Sequence, residues 1–198
     1  MQERYGTALY LVMRLSGSTH FAESRPMPAE NLETTGTTLD GTPLTLRPIR
    51  PEDEPVLQDL FAHMSREDLR LRFFVPMREL SRALAARLSH LDYGREMALV
   101  VQHDGMTLGV ARYSGDPDRL SAEFAVAVRS DSHGRGVGHL LMLRLIEVAQ
   151  QFGVGELVGL VLHQNKPMLD MCRKLGFSIL PEPNDATVLR VRKSLAPA

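Results

Sequence analysis

A period-two alternation runs through Phe124, Val126 and Val128, and beyond Gly138 it gives way to a helical pattern. There Leu140, Leu141, Leu143, Leu145, Ile146 and Val148 form one wide apolar face. Residues 130–138, between the two patterns, carry three glycines, so the order is strand, glycine turn, helix from His139. Similar patterning predicts strands over 44–50, 97–102, 106–113, 156–162, 177–180 and 187–193. Helices are expected over 51–64, from about 65, over 79–88 and over 166–175. Pro51, Glu52, Asp53 and Glu54 place a proline and three acids in a first helical turn, and His103-Asp104-Gly105 reads as a hairpin turn. The pair Phe73-Phe74 among Arg70 and Arg72 reads as packing with solvated charges. Helices set between strands, with one helical crossover to a parallel neighbour, indicate a mixed α/β sheet. Residues 1–40 differ: 8–15 has the pattern of a short strand, and 16–40, rich in Ser, Thr, Glu, Gly and Pro, reads as a linker or a loosely held extension, with an edge strand packed on the main domain or on a second subunit as the alternative.

The glycine turn has a chemical meaning of its own. The first backbone N–H groups of a helix have no partner inside it, and the positive end of the helix dipole adds to their pull on an anion. Gly134, Gly136 and Gly138 let a bulky phosphate approach without meeting a Cβ. The spacing is neither a Walker A loop, since no Gly-Lys-Ser/Thr follows, nor GxGxxG.

Composition narrows the function classes. The 198 residues carry 23 basic and 24 acidic side chains for a net charge of −1, which argues against a nucleic-acid-binding surface. Cys172 is the single cysteine, so no internal disulfide forms and a reducing cytoplasm is the expected setting. No apolar run has the length of a membrane span, and Glu3 and Arg14 frame the N-terminal apolar run in a way unlike a signal peptide. The seven histidines are scattered, without HExxH or CxxC spacing, and no metal is expected.

His133-Gly134-Arg135-Gly136-Val137-Gly138 resembles the acetyl-CoA loop of the GCN5-related N-acetyltransferases, Q/R-x-x-G-x-G/A, with His133 in place of Gln or Arg. The stretch from Leu46 to Asp53 resembles the first-strand signature of that family, and the stretch from Asn165 to Phe177, ending in Leu-Gly-Phe, resembles its second CoA-binding segment. Residues 91–98, with Arg72-Phe73-Phe74, look more specifically like the acetyltransferase domain of bacterial Pat-type protein lysine acetyltransferases. The resemblance implies an α/β fold with a mixed, mostly antiparallel central sheet, splayed at the acetyl-CoA site and flanked by helices. It places that domain at 41–198, after an extension at 1–40. It implies acetyl-CoA as co-substrate, with Val126, Ala127, Val128 and Arg129 on the pantetheine arm through their backbone. His133, Gly134, Arg135, Gly136, Val137, Gly138 and His139 would lie around the pyrophosphate, and Asn165 would bond the pantetheine arm, although its residue type equally suits a helix cap. The implied partner is a protein with a reactive lysine, an acyl-CoA synthetase among the expected acceptors, and no nucleic acid or membrane. The chain is expected as a monomer or homodimer.

Acetyl transfer to an amine requires proton removal, oxyanion stabilisation and departure of a thiolate. A lysine amine with a pKa of ~10.4 is neutral in only about one molecule per few thousand at pH 7, so a base helps. Glu123, on the strand leading to the glycine turn, matches the glutamate taken as general base in Pat-like domains; a solvated acid at a strand end is the plainer alternative, and Glu96 is a second acid within the domain. Many family members carry a tyrosine four residues before the Gly of Leu-Gly-Phe to protonate the thiolate. Here that position is Cys172, whose neighbours Met168, Leu169 and Leu175 indicate a small buried residue. Two alternatives stand beside protein lysine acetylation: a small-amine N-acetyltransferase, and a non-catalytic module that senses acyl-CoA.

Overall fold

The computed structural model describes residues 32–75, 77–116 and 120–195. The strand expected over 8–15 lies outside them. The described chain runs β1 (Thr34–Thr37), β2 (Pro43–Pro48), a 3₁₀ turn (Pro51–Asp53), α1 (Glu54–Ala62), α2 (Arg66–Phe73), α3 (Arg82–Ser89), β3 (Glu96–His103), β4 (Met106–Gly115) and β5 (Ser121–Val128). A second 3₁₀ turn (Ser130–Ser132) is followed by α4 (Val137–Gln151), β6 (Glu156–Leu162), α5 (Lys166–Lys174), β7 (Ser178–Pro181) and β8 (Val188–Ser194). The eight strands form one sheet in the order β1-β2-β3-β4-β5-β6-β8-β7. Every pair is antiparallel except β5 with β6, which α4 joins by a crossover.

Local chemistry explains the element ends. Ser65 caps α2 by accepting from the Asp68 N–H, and Ser81 caps α3 by accepting from the Leu84 N–H. Pro51 and Pro55 stand in first helical turns, where a missing N–H costs nothing. Asp104 and Gly105, both at positive φ, make the two-residue hairpin turn between β3 and β4. Glycine at Gly136 ends the turn and α4 starts at Val137, two residues before the start read from the apolar pattern, so Gly138 lies within the helix. A weak helix former in a first turn conceals the true start from an apolar pattern.

The two sheet faces bury separate cores. On one, α4 and α5 cover Leu46, Leu99, Ala111, Phe124 and Leu157. On the other, α1, α2 and α3 cover Ile49, Ala98, Val100, Val110 and Ala127. The folded unit begins before residue 41: β1 pairs with β2 from Thr34↔Leu46 to Thr37↔Pro43, and Leu32 is buried in the first core. This is the edge-strand alternative; the polar composition of 32–40 favoured the linker reading because an edge strand buries little and alternates weakly.

Candidate active site

The parallel pair β5/β6 separates soon after it forms. Residues 121–123 pair with 156–158, ending at Glu123↔Val158, yet β5 continues to Val128 and β6 to Leu162. Just past the last pair, β6 has a glycine against an aromatic ring, which lets the strands stay close there. A Cβ at Gly159 would lie 2.9 Å from Phe124 Cε1, and the Phe124 ring in turn packs on Phe177 with centroids 5.1 Å apart. The wedge opens into a cleft of about 970 Å³. That is near the upper limit of ordinary small-molecule sites (~1,000 Å³), so it suits a large ligand.

The Arg129 N–H donates to the Leu108 carbonyl at 2.9 Å, across to β4. Backbone groups alternate in direction along an antiparallel strand, so Ala127 and Ala125 also turn to β4 while Val126 and Val128 turn theirs to the open edge. Val126 and the Val128 N–H therefore offer strand-like hydrogen bonds to an extended ligand, while the Val128 carbonyl already lies 3.2 Å from His133 Nε2. Ala127 reaches the cleft, but its side chain is buried under α1, α2 and α3. Arg129 does not join them. Its guanidinium pairs with Asp131 at 2.9 Å and Asp59 at 3.4 Å, outside the cleft lining.

At the open end of the wedge, beyond Val128, stands the start of α4. Gly134 and Gly136 have φ of 75° and 85°, a region in which a side chain is strained. The first intrahelical bond of α4 runs from the Leu140 N–H to the Gly136 carbonyl, so the amides of Val137, Gly138 and His139 precede any helical acceptor. With the dipole behind them, they suit an anion at the end of an open strand. Gly138 is different in kind: a Cβ there would meet Val128 Cγ2 at 3.5 Å and Met171 Sδ at 3.8 Å, ordinary contacts. His133 lines the cleft with Nε2 3.2 Å from the Val128 carbonyl. Arg135 points away, to Asp40 at 3.1 Å and the Thr42 hydroxyl at 2.8 Å. Asn165 caps α5, its Oδ1 accepting from the Met168 N–H at 3.2 Å, and it lines the cleft.

Glu123 lines the cleft at the last paired position of β5. Its side chain points to the α1–α3 face, like that of Ala127 four residues on. Arg72 of α2 lines the same region, half-buried. Burial and the nearby Arg112 charge push the Arg72 guanidinium down to about 10, against the opposing pull of the Glu123 carboxylate. It remains a cation at neutral pH. This corrects the reading of the Arg-Phe-Phe segment as packing with solvated charges: Phe73 packs, 5.4 Å from the Phe61 ring, but Arg72 is part of the site. Glu96 shares a row of the sheet with Glu123 through Ser114, yet it lies outside the cleft lining, accepting from the Ser114 hydroxyl at 3.2 Å with Arg112 at 3.9 Å.

Cys172 is fully buried in the α4/α5 core, and burial pushes its thiol up to about 11. That environment suits packing and disfavours a thiolate. Among the cleft residues that the sequence reading missed are Leu39, Arg72, Phe124, Gly159, Met168 and Met171. An isolated glycine inside a strand pattern is a signal of close approach, so Gly159 was the discoverable one. Among the described residues no group of three or more His, Cys, Asp or Glu could hold a metal ion.

The Acetyltransferase (GNAT) family matches residues 60–177, a span that includes the wedge, the glycine turn and α5. Acetyltransferase PA5475 of Pseudomonas aeruginosa is 32% identical over 160 residues, covering 79% of this chain and 86% of that protein. Acetyltransferase Pat of Mycolicibacterium smegmatis is 32% identical over 134 residues, 66% of this chain and 40% of Pat. Among solved structures, the GNAT domain of S. lividans PAT superposes with a TM-score of 0.79 at 25% identity, covering 85% of this chain and 99% of that one. With its splayed sheet and glycine turn, the chain belongs to the GNAT family of N-acetyltransferases.

Proposed function

We propose that the protein transfers an acetyl group from acetyl-CoA to a lysine of another protein, with Glu123 as general base. The observation that carries this reading is the position of Glu123 at the point where β5 leaves β6. A carboxylate there stands at the apex of the wedge, on the strand whose open edge would hold the donor.

The residues present fit acetyl-CoA. The open backbone groups of Val126 and Val128 match the amides of a pantetheine arm, the amides of Val137, Gly138 and His139 match a pyrophosphate, and the cleft has the volume for both. Bound there, the thioester supplies an activated acetyl group. The chain's own work is to orient the donor by strand pairing, to exclude water with Phe124, Met168 and Met171, and to take the ammonium proton at the Glu123 carboxylate. The Arg72 cation stands close enough to Glu123 to feel its charge. The buried Cys172 is a poor proton donor to the thiolate, whose pKa of ~8.5 lets it leave unprotonated.

The likeness to the two Pat proteins supports a protein lysine as acceptor, and an acyl-CoA synthetase is the acceptor class to try first. Glu123→Gln keeps size and hydrogen bonding but cannot accept a proton. Turnover on an acceptor protein should fall by roughly 10²-fold at neutral pH, with acetyl-CoA affinity unchanged. The deficit should shrink as pH rises toward the lysine pKa of ~10.4, because the amine then arrives neutral. Equal rates for both proteins at neutral pH would assign proton removal elsewhere. The Arg72 cation in the cleft favours a second reading, an acceptor amine that also carries a carboxylate; faster turnover on free amino acids than on any protein lysine would select it.

A further inference from the structure

Leu39 is 82% exposed, yet nothing about its setting is loose. The turn that carries it is closed by Thr38 N–H to Thr42 O at 3.0 Å, Gly41 N–H to Thr38 O at 3.0 Å, and Thr42 N–H to the Thr38 hydroxyl at 2.9 Å. Asp40 accepts from the Thr42 hydroxyl at 2.8 Å. The turn is also fastened to the glycine turn: the Leu39 N–H donates to the Arg135 carbonyl at 2.9 Å, and Arg135 pairs with Asp40. A leucine pinned this firmly into solvent has an open apolar face beside the cleft. Its Cγ would lie 3.1 Å from a Cβ at Gly136, so it flanks the start of α4 directly.

Two further leucines extend that face. Leu140 is seated against Gly36 of β1, and Leu143, one turn along α4, is 41% exposed; both line the same cleft as Leu39. The strip therefore begins where the anion site ends. A donor with its pantetheine arm on Val126 and Val128 and its pyrophosphate on the amides of Val137–His139 still has its adenosine to place beyond the glycine turn. On the α5 side the exit carries the charged Asp170 and Lys174. On the β1 side it carries leucines, with the one nearby carboxylate, Asp40, already held by Arg135. An adenine ring is a flat, largely apolar surface and gains by covering the second.

We infer that the adenine of acetyl-CoA lies on Leu39, Leu140 and Leu143, so that the β1–β2 turn is a wall of the donor site. The inference rests on the acetyl-CoA reading above and adds the nucleotide subsite to it. The test uses the full chain with labelled leucine methyls and acetyl-CoA. Adenine H2 and H8 should show NOEs to a leucine methyl pair that vanishes in Leu39→Ala. By calorimetry Leu39→Ser should raise the Kd for acetyl-CoA roughly three- to tenfold, as expected for losing one apolar contact, and leave that for S-acetyl-4′-phosphopantetheine, which lacks the nucleotide, unchanged. NOEs to the methionine methyls of α5 instead, or an equal loss of affinity for both ligands, would overturn the inference while leaving the cofactor reading intact. Wild-type protein that binds no acetyl-CoA would remove the cofactor reading, and the subsite with it.

Discussion

The three glycines of the turn look interchangeable in the sequence, and the backbone separates them. Gly136, at φ 85°, would be strained by any side chain, and a branched one would also press on Leu39. Gly136→Val should therefore weaken acetyl-CoA binding by about 1 kcal/mol or more, read by calorimetry on a variant shown to be folded by circular dichroism. Gly138 sits in the helix with room for a methyl group, so Gly138→Ala should stabilise the protein by about 0.5–1 kcal/mol and leave acetyl-CoA affinity within a few-fold. Equal damage from both substitutions would mean that the amides act through local flexibility and not through the geometry of the turn. The same distinction between type and setting applies to Arg72, whose residue type suggests a solvated charge and whose position makes it a cation facing Glu123.

Between elements, the wedge depends on a misfit between β5 and β6. Phe124 fills the space that a side chain at position 159 would occupy, so the strands stay close enough to seal the core and diverge directly above it. Gly159→Val would drive a branched side chain into a ring buried on all sides, where overpacking costs about 1–3 kcal/mol. The expected outcome is a lower urea midpoint at unchanged m-value, together with weaker acetyl-CoA binding because the open edge of β5 is displaced. A variant with wild-type stability would show that the ring moves aside at no cost, and would remove Phe124 from the account of the wedge. The β1–β2 turn belongs to this scale as well: its ion pair with Arg135 ties an edge element to the start of the central helix.

Across the whole molecule, stability below neutral pH leans on one nearly buried ion pair that fixes the chain where it leaves β2. Arg47 makes two hydrogen bonds to Asp53, at 2.7 and 2.8 Å, and the Asp53 carboxylate also accepts from the Arg50 N–H at 2.7 Å. Burial pushes the Asp53 carboxyl up, but the Arg47 and Arg50 hydrogen bonds and charges together hold it below the usual range. A depressed carboxylate contributes its full stability above its unfolded pKa, about 3.9, and loses it as pH falls through the lower folded value. Asp53→Asn should cost about 3 kcal/mol near neutrality, since it leaves Arg47 buried without its charge partner, and the cost should shrink on acidification below about pH 4. Denaturant unfolding of both proteins at pH 7 and at pH 3 measures it, and a cost independent of pH would assign the effect to packing.

Sequence alone determined the order of strands and helices from β2 onward, the glycine turn and the family, because these depend on periods of two and 3.6 and on residues contiguous in the chain. The helix start was legible at Ser65, which caps α2; α3, read from 79, begins only after its cap Ser81, and the start of α4 was missed where glycine gives no apolar signal. What only the tertiary structure decided concerns residues far apart in the chain. It set β1 against β2 and so moved the start of the fold, placed Arg72 beside Glu123, and turned Arg129 and Arg135 away from the cleft toward carboxylates on α1 and in the β1–β2 turn. A side chain's partner depends on which elements pack together, and a linear pattern of apolar and polar positions records burial but not the identity of the neighbour. The sequence thus contained the parts of the donor site, and the divergence of β5 from β6 made them a cleft.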